Sequence, residues 1–145
     1  MVNRRHFIKS GCIACMGLTS IATLIEACSA PMQVVKSSNN DHPNMLSVPE
    51  SKFTSLIHVV IVRDDKLDSD ILLVKGKEGY KALFMSCTHE GLPLTATDTK
   101  IICNAHGSQF DFDGKVLKEP ALKPLEQFKT EIINNYINIY TDQKL

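Results

Sequence analysis

The sequence predicts an all-β domain, a small antiparallel sandwich. Short runs rich in Ile, Val, Leu, Phe and Tyr recur from Val48 onward. Several alternate with period two: Phe110 and Phe112 flank Asp111, and Tyr136, Ile137, Asn138, Ile139 and Tyr140 nearly alternate. Turn-forming clusters, "DDKLDSD", "GKEGY" and "DGK", break the runs at short spacing. No long stretch of this part has helical apolar spacing, and there are no internal repeats.

Length allows one domain with a real core. The chain has 145 residues, too few for two ordinary domains. Hydrophobic residues make up 43% and charged residues 22%, which is normal for a folded protein. Lys+Arg and Asp+Glu are both 16, so the basic excess of a nucleic-acid binder is absent.

Residues 1–28 read as an export signal or membrane anchor. A basic start (Arg4, Arg5, Lys9) precedes an apolar run over 11–25. That run is shorter than the about 20 residues of a spanning helix and suits the centre of a signal peptide. "NRRHFIKSG" resembles the twin-arginine export signal at Arg4, Arg5, Phe7 and Lys9. That route carries proteins already folded. "LIEAC" resembles a lipoprotein cleavage site ending at Cys28, although Glu26 stands where a small residue is usual. Cys12 and Cys15 fall inside the apolar run and read as chance small residues. Residues 29–47, rich in Ser, Asn and Pro, read as a flexible tether. Without residues 1–28 the chain holds 13 Lys+Arg against 15 Asp+Glu, so it is slightly acidic.

The domain is expected over 48–145. Its strand-like runs are "SLIHVVIVR" (55–63), "DILLVKG" (70–76), "KALFMSC" (81–87), "KIICN" (100–104), "SQFDFDG" (108–114) and "YINIY" (136–140). Two of them end in chemistry. Cys87-Thr88-His89 follows one run and Cys103-Asn104-Ala105-His106 another, with thirteen residues between His89 and Cys103. Thiolate and neutral imidazole are ligands for zinc or for iron–sulfur clusters. The residue count alone leaves two arrangements open: one zinc held as Cys2His2, or a [2Fe–2S] cluster with both cysteines on one iron and both histidines on the other. His42, in the polar segment, and His58, in a strand-like run, read as solvated or structural. "DDKLDSD" reads as a solvated turn.

The flanking residues separate the two arrangements. "SCTHEGLPL…CNAHGSQFDFDGKVLKEPALKPL" resembles the Rieske iron–sulfur family across residues 80–128. The likeness rests on Cys87, His89, Cys103, His106, Gly107, Ser108, Phe110, Asp111, Gly114 and Pro120. It implies a Rieske-like fold with a small cluster-binding part at about 84–124 and one [2Fe–2S] cluster per chain. The implied ligands are Cys87, His89, Cys103 and His106, and Ser108 is implied to donate a hydrogen bond to the cluster. Family members of membrane complexes carry a disulfide that braces these loops; here the matching positions are Leu92 and Ala105. Packing by Leu92, Pro93 and Leu94, and the cluster itself, is expected to brace them instead. The spacing between the pairs is slightly short, which suggests a tight hairpin around "TATDTK". Phe110 lacks the hydroxyl of the tyrosine usual near the cluster. The expected potential is therefore below that of members with both hydroxyls and above that of members with neither.

The implied function is one-electron transfer at the periplasmic or outer face of the cytoplasmic membrane. Implied partners are a cytochrome, quinol-oxidising or molybdenum-containing subunit, in a quinol–cytochrome c complex or a molybdenum oxidase such as arsenite oxidase. No complete substrate-converting site of its own is expected. A Rieske oxygenase would need a second, iron-bearing domain, for which the length leaves no room. The competing reading is a zinc-stabilised Cys2His2 binding module without redox activity.

Overall fold

The computed structural model describes residues 32–39 and 42–145. Strands dominate, as expected. In chain order they are β1 (Gln33–Lys36), β2 (Ser38–Asn39), β3 (Met45–Pro49), β4 (Val59–Arg63), β5 (Ile71–Lys75), β6 (Tyr80–Phe84), β7 (Thr95–Ala96), β8 (Ile101–Ile102), β9 (Gln109–Phe110), β10 (Val116–Lys118), β11 (Gln127–Ile133) and β12 (Tyr136–Lys144). A 3-10 turn, Glu50–Lys52, follows β3.

Eight strands form one sheet in the order β1-β4-β5-β6-β11-β12-β3-β2. Every neighbouring pair is antiparallel except β1 and β4, which run parallel. The edge strands β1 and β2 are separated in sequence by Ser37 alone. One residue reaches only about 3.5 Å, so the two edges must meet and the sheet curls into a barrel. Ser37 secures the seam: its N–H donates to the Arg63 carbonyl and its hydroxyl to the Asp64 carboxylate. The remaining strands form a four-stranded antiparallel sheet, β10-β9-β8-β7.

The small sheet packs on the outside of the large one, and strand alternation shows how. All of 71–74 is buried. Ile71 and Leu73 point into the barrel with Val60, Val62, Ile137 and Ile139. Leu72 and Val74 point the other way, into a second core with Ile101, Phe110 and Leu125. In β6, Tyr80 and Ala82 face the barrel and Leu83 the second core. Successive side chains of a strand face opposite sides, so β5 and β6 form a wall shared by both cores. Burial of each such Leu, Ile or Val side chain contributes about 1.5–3 kcal/mol. Beyond β6, Met85 and Cys87 remain in the second core, which carries the wall directly into the first cysteine.

The expected tether is corrected in part. Within 29–47, residues 33–36 pair with β4, and 45–47 pair with β12. Leu46 and Ser47 are buried, and the Ser47 hydroxyl donates to Asn138 Oδ1 at 2.6 Å. Pairing partners far along the chain supply the order that the local composition lacks. The signal or anchor over 1–28 lies outside the described residues, as do 29–31 and 40–41. The hairpin around "TATDTK" is present: β7 and β8 pair, and Thr97 N–H donates to the Lys100 carbonyl at 2.8 Å.

Tyr80 seals the barrel against the 3-10 turn. Its ring meets Phe53 edge-on at 4.8 Å, and its hydroxyl donates to Glu50 Oε1 at 3.1 Å. Burial, then the hydrogen bond to Glu50 and the charge of that carboxylate, pushes its pKa up to about 12. The native state therefore holds this proton more tightly than the unfolded chain, whose tyrosines titrate near about 10. The associated stability is complete below pH of about 10 and is lost as pH rises through about 12. Urea midpoints at about pH 9 and pH 11.5 are expected to differ more in the native sequence than in Tyr80→Phe. Equal alkaline losses would refute this role for Tyr80.

Candidate metal centre

Two loops at one end of the second core carry the cysteine–histidine pairs, and they close by the same backbone scheme. In the first, Cys87 N–H donates to the Leu92 carbonyl at 2.8 Å, and Gly91 N–H donates to the Cys87 carbonyl at 2.7 Å. In the second, Cys103 N–H donates to Ser108 and Gly107 N–H to Cys103, both at 2.9 Å. Each six-residue loop thus runs from a cysteine, with a glycine fifth. Gly91 has φ 72° and Gly107 φ 80°, a left-handed conformation that glycine adopts without Cβ strain.

A third loop ties the first two together. The Thr88 hydroxyl donates to the Lys123 carbonyl at 2.7 Å. Ala121 N–H donates to Ser108 Oγ at 3.0 Å, and both residues are fully buried. The segment that contains Pro120 therefore touches both cysteine–histidine loops through polar bonds. Asn104 Nδ2 adds a link to Thr95 Oγ1 at 2.9 Å, between the second loop and β7. The expected packing brace is only partly found. Leu94 packs on the second core, but the Leu92 side chain is exposed and contributes its carbonyl.

The four predicted side chains come together as two pairs. Cys87 and Cys103 are free thiols, both buried, and the Cys87 thiol lies within hydrogen-bonding reach of Cys103. Burial pushes the Cys103 thiol up, and the charge of Glu90 adds to this. The N–H groups of Ala105 and His106 and the Cys87 thiol outweigh both and leave its pKa below the ordinary value. His89 and His106 are exposed, with ring centroids 5.1 Å apart and nearly perpendicular planes. A tetrahedral zinc site needs four donors at about 2.0–2.3 Å from one ion. Among the described residues the one cluster of three or more candidate metal donors is His89, Glu90 and His106, which includes neither cysteine. The split into a buried sulfur pair and an exposed nitrogen pair instead fits a centre with two metal atoms.

Glu90 is the site residue that the sequence reading passed over. Its carboxylate lies 3.6 Å from His106 Nδ1 and forms a compact exposed group with both histidines. Its place between His89 and Gly91 was visible, but its closeness to His106 depends on how the second loop folds. Ser108, expected to donate to the cluster, is buried. Its oxygen accepts from Ala121, and among the described residues no acceptor is found for its own proton. Phe110 is buried in the second core with Cys103.

A family model for the Rieske [2Fe-2S] domain matches residues 48–129. The chain belongs to this family. The domain carries a [2Fe–2S] cluster, and Rieske-type electron transfer is its chemistry. A cytochrome b6-f complex iron-sulfur subunit from Prochlorococcus marinus is 40% identical over 65 residues, covering 42% of this chain and 36% of that protein. Subunit 1 of the same type from Nostoc sp. is 36% identical over 85 residues, covering 54% of this chain and 48% of that protein. The chain thus spans about half, or less, of the length of these relatives. Among solved structures, a complex of reduced oxygenase and oxidized ferredoxin in carbazole 1,9a-dioxygenase contains a chain with TM-score 0.54 and 20% identity. The match covers 72% of this chain and 99% of that one, and shows the shared Rieske fold. The plasma membrane Rieske protein of the cyanobacterium Synechocystis is 29% identical, with TM-score 0.48, over 57% of this chain and 85% of that one.

The Thr88 link allows a direct test of the bracing. Thr88→Val is expected to cost about 0.5–1.5 kcal/mol in chemical denaturation. It should also speed amide exchange at Gly91 more than at Gly107. Equal acceleration in both loops would show that Thr88 does not brace the first loop selectively.

Proposed function

We propose that this Rieske protein carries single electrons at the outer face of a membrane, with its cluster held by Cys87, Cys103, His89 and His106. The observation that carries the ligand assignment is the division of these donors into a buried sulfur pair and an exposed imidazole pair. When bound, the cluster supplies a centre that takes up and releases one electron. The buried cysteines hold the inner side of the centre away from water. N–H groups of Ala105 and His106 at the Cys103 sulfur stabilise negative charge there. The exposed histidine rings provide the edge where a partner can approach.

The partner is proposed to be a subunit of a membrane-associated redox complex. The names of the Prochlorococcus and Nostoc relatives, subunits of cytochrome b6-f complexes, favour the quinol–cytochrome type. A molybdenum oxidase partner is the second reading, favoured by Leu92 and Ala105 at the bridge positions. Location outside the cytoplasm is supported by the resemblance of Arg4, Arg5, Phe7 and Lys9 to a twin-arginine signal. Membrane attachment is supported by the apolar run over 11–25 and by the resemblance of "LIEAC" to a lipoprotein cleavage site ending at Cys28.

Metal analysis with EPR before and after dithionite tests the centre. Two irons and two sulfides per chain, with a reduced spectrum of the His-ligated type, are expected. One zinc and no sulfide in protein made with ample iron would overturn the assignment in favour of the binding module. Ser108→Ala tests the tuning. A hydrogen bond to a charged group contributes about 1.5 kcal/mol, equivalent to about 60 mV for one electron. The variant is expected to lower the potential by that order, and an unchanged potential would remove Ser108 from the site.

A further inference from the structure

The barrel end opposite the metal centre gathers exposed apolar side chains and the point where the chain enters the domain. Strand register defines this end. β6 leaves it at Tyr80 and runs toward Cys87. Tyr80 bonds Glu50, and Glu50 N–H donates to the Asn135 carbonyl in the β11–β12 turn. On the other side, Lys75 N–H donates to the His58 carbonyl at 2.8 Å. His58, Leu56 and Met32 line one groove with Thr97 of the β7–β8 turn. Met32, Leu56, the Lys75–Tyr80 hairpin and the β11–β12 turn therefore share one end. Cys103 follows β8 away from that turn, so both cysteine–histidine loops lie at the other end.

The exposed residues here are bulky and apolar. Leu56 is 90% exposed, Ile132 54%, Ile133 45% and Tyr136 43%. Lys75 and Lys77 are exposed in the hairpin at this end, and so are Glu78 in that hairpin and Asp98 in the β7–β8 turn. Aromatic and aliphatic side chains with lysines near them suit a lipid headgroup surface. Chain length supplies the occupant. Between Ile25, the last residue of the apolar run, and Met32 lie seven residue steps, which reach at most about 25 Å. From Cys28 the reach is about 14 Å. β1 begins at Gln33, paired to β4, so the barrel itself offers no slack.

We propose that this end of the barrel seats on the membrane surface, with His89 and His106 directed into the aqueous space. The proposal rests on the reading of residues 1–28 as a membrane attachment. Of the two partner readings above it favours the second, a redox protein approached from water, over the quinol–cytochrome type, because a hydrophobic quinol within the bilayer would lie on the far side of the domain. The reverse arrangement has its own exposed residues, Leu92 and Leu122 beside the histidine loops.

The chain contains no Trp, so a single introduced Trp reports its own surroundings. Full-length Ile133→Trp, Leu56→Trp and Leu122→Trp would be bound to phosphatidylcholine–phosphatidylglycerol vesicles with plain or brominated acyl chains. With brominated lipid, Trp at 133 and at 56 should lose much of its emission and shift to the blue, while Trp at 122 should not change. Using both 133 and 56 guards against one substitution disturbing the fold. Quenching at 122, alone or with the others, would overturn the orientation. So would quenching at none of the three in protein that sediments with the vesicles, since the domain would then stand off. Failure to sediment would instead overturn the attachment reading, and the seating with it.

Discussion

The wall formed by β5 and β6 is the constraint on which the remaining structure depends. Its residues 71–74 are buried on both faces, one side completing the barrel and the other supporting the small sheet. Strand register then acquires chemical meaning. A slip of one residue in β6 would exchange the faces of Ala82 and Leu83. It would also move Cys87 out of the second core, away from Cys103. The position of the first sulfur is thus set by hydrophobic alternation several residues upstream.

The loops above this wall are held by redundant weak bonds. Each closes on itself through a pair of backbone hydrogen bonds, and each is then tied to the segment around Pro120. These neutral bonds individually contribute about 1 kcal/mol. Together they hold the two loops at the end of the second core. They also order the N–H groups of Ala105 and His106 at the Cys103 sulfur, so bracing and electrostatic tuning arise from the same backbone path. Glu90 adds the opposite influence, a carboxylate beside His106.

Much of the site was legible because its signals are local. The two cysteine–histidine spacings, the glycines and Ser108 follow within a few residues of one another. The strands over 59–63, 71–75 and 80–84 were legible from their dense β-branched and aliphatic runs. β11 was not: "QFKTEII" mixes charged residues with few apolar ones, and Phe128 alone of its residues is buried. Its order comes from pairing with β6 and β12. β1 and β3 were hidden in a polar segment for the same reason, since the burial of Val35 and Leu46 depends on distant strands. The contact of Thr88 with Lys123 spans 35 residues and had no local sign.

The pairing of β3 with β12 sets an order for folding. β3 and β12, near opposite ends of the described chain, pair through Ile137–Val48 and Ile139–Leu46. The barrel therefore cannot close on a ribosome until β12 has emerged. The hairpins β4–β5–β6 and the two loops with Cys87 and Cys103 are synthesised before that moment. Local hairpins of this kind form readily, whereas contacts of long sequence separation form late. For an interval, then, the nascent chain holds all four donor residues while the wall behind them still exposes its barrel face. Apolar surface of that kind invites aggregation.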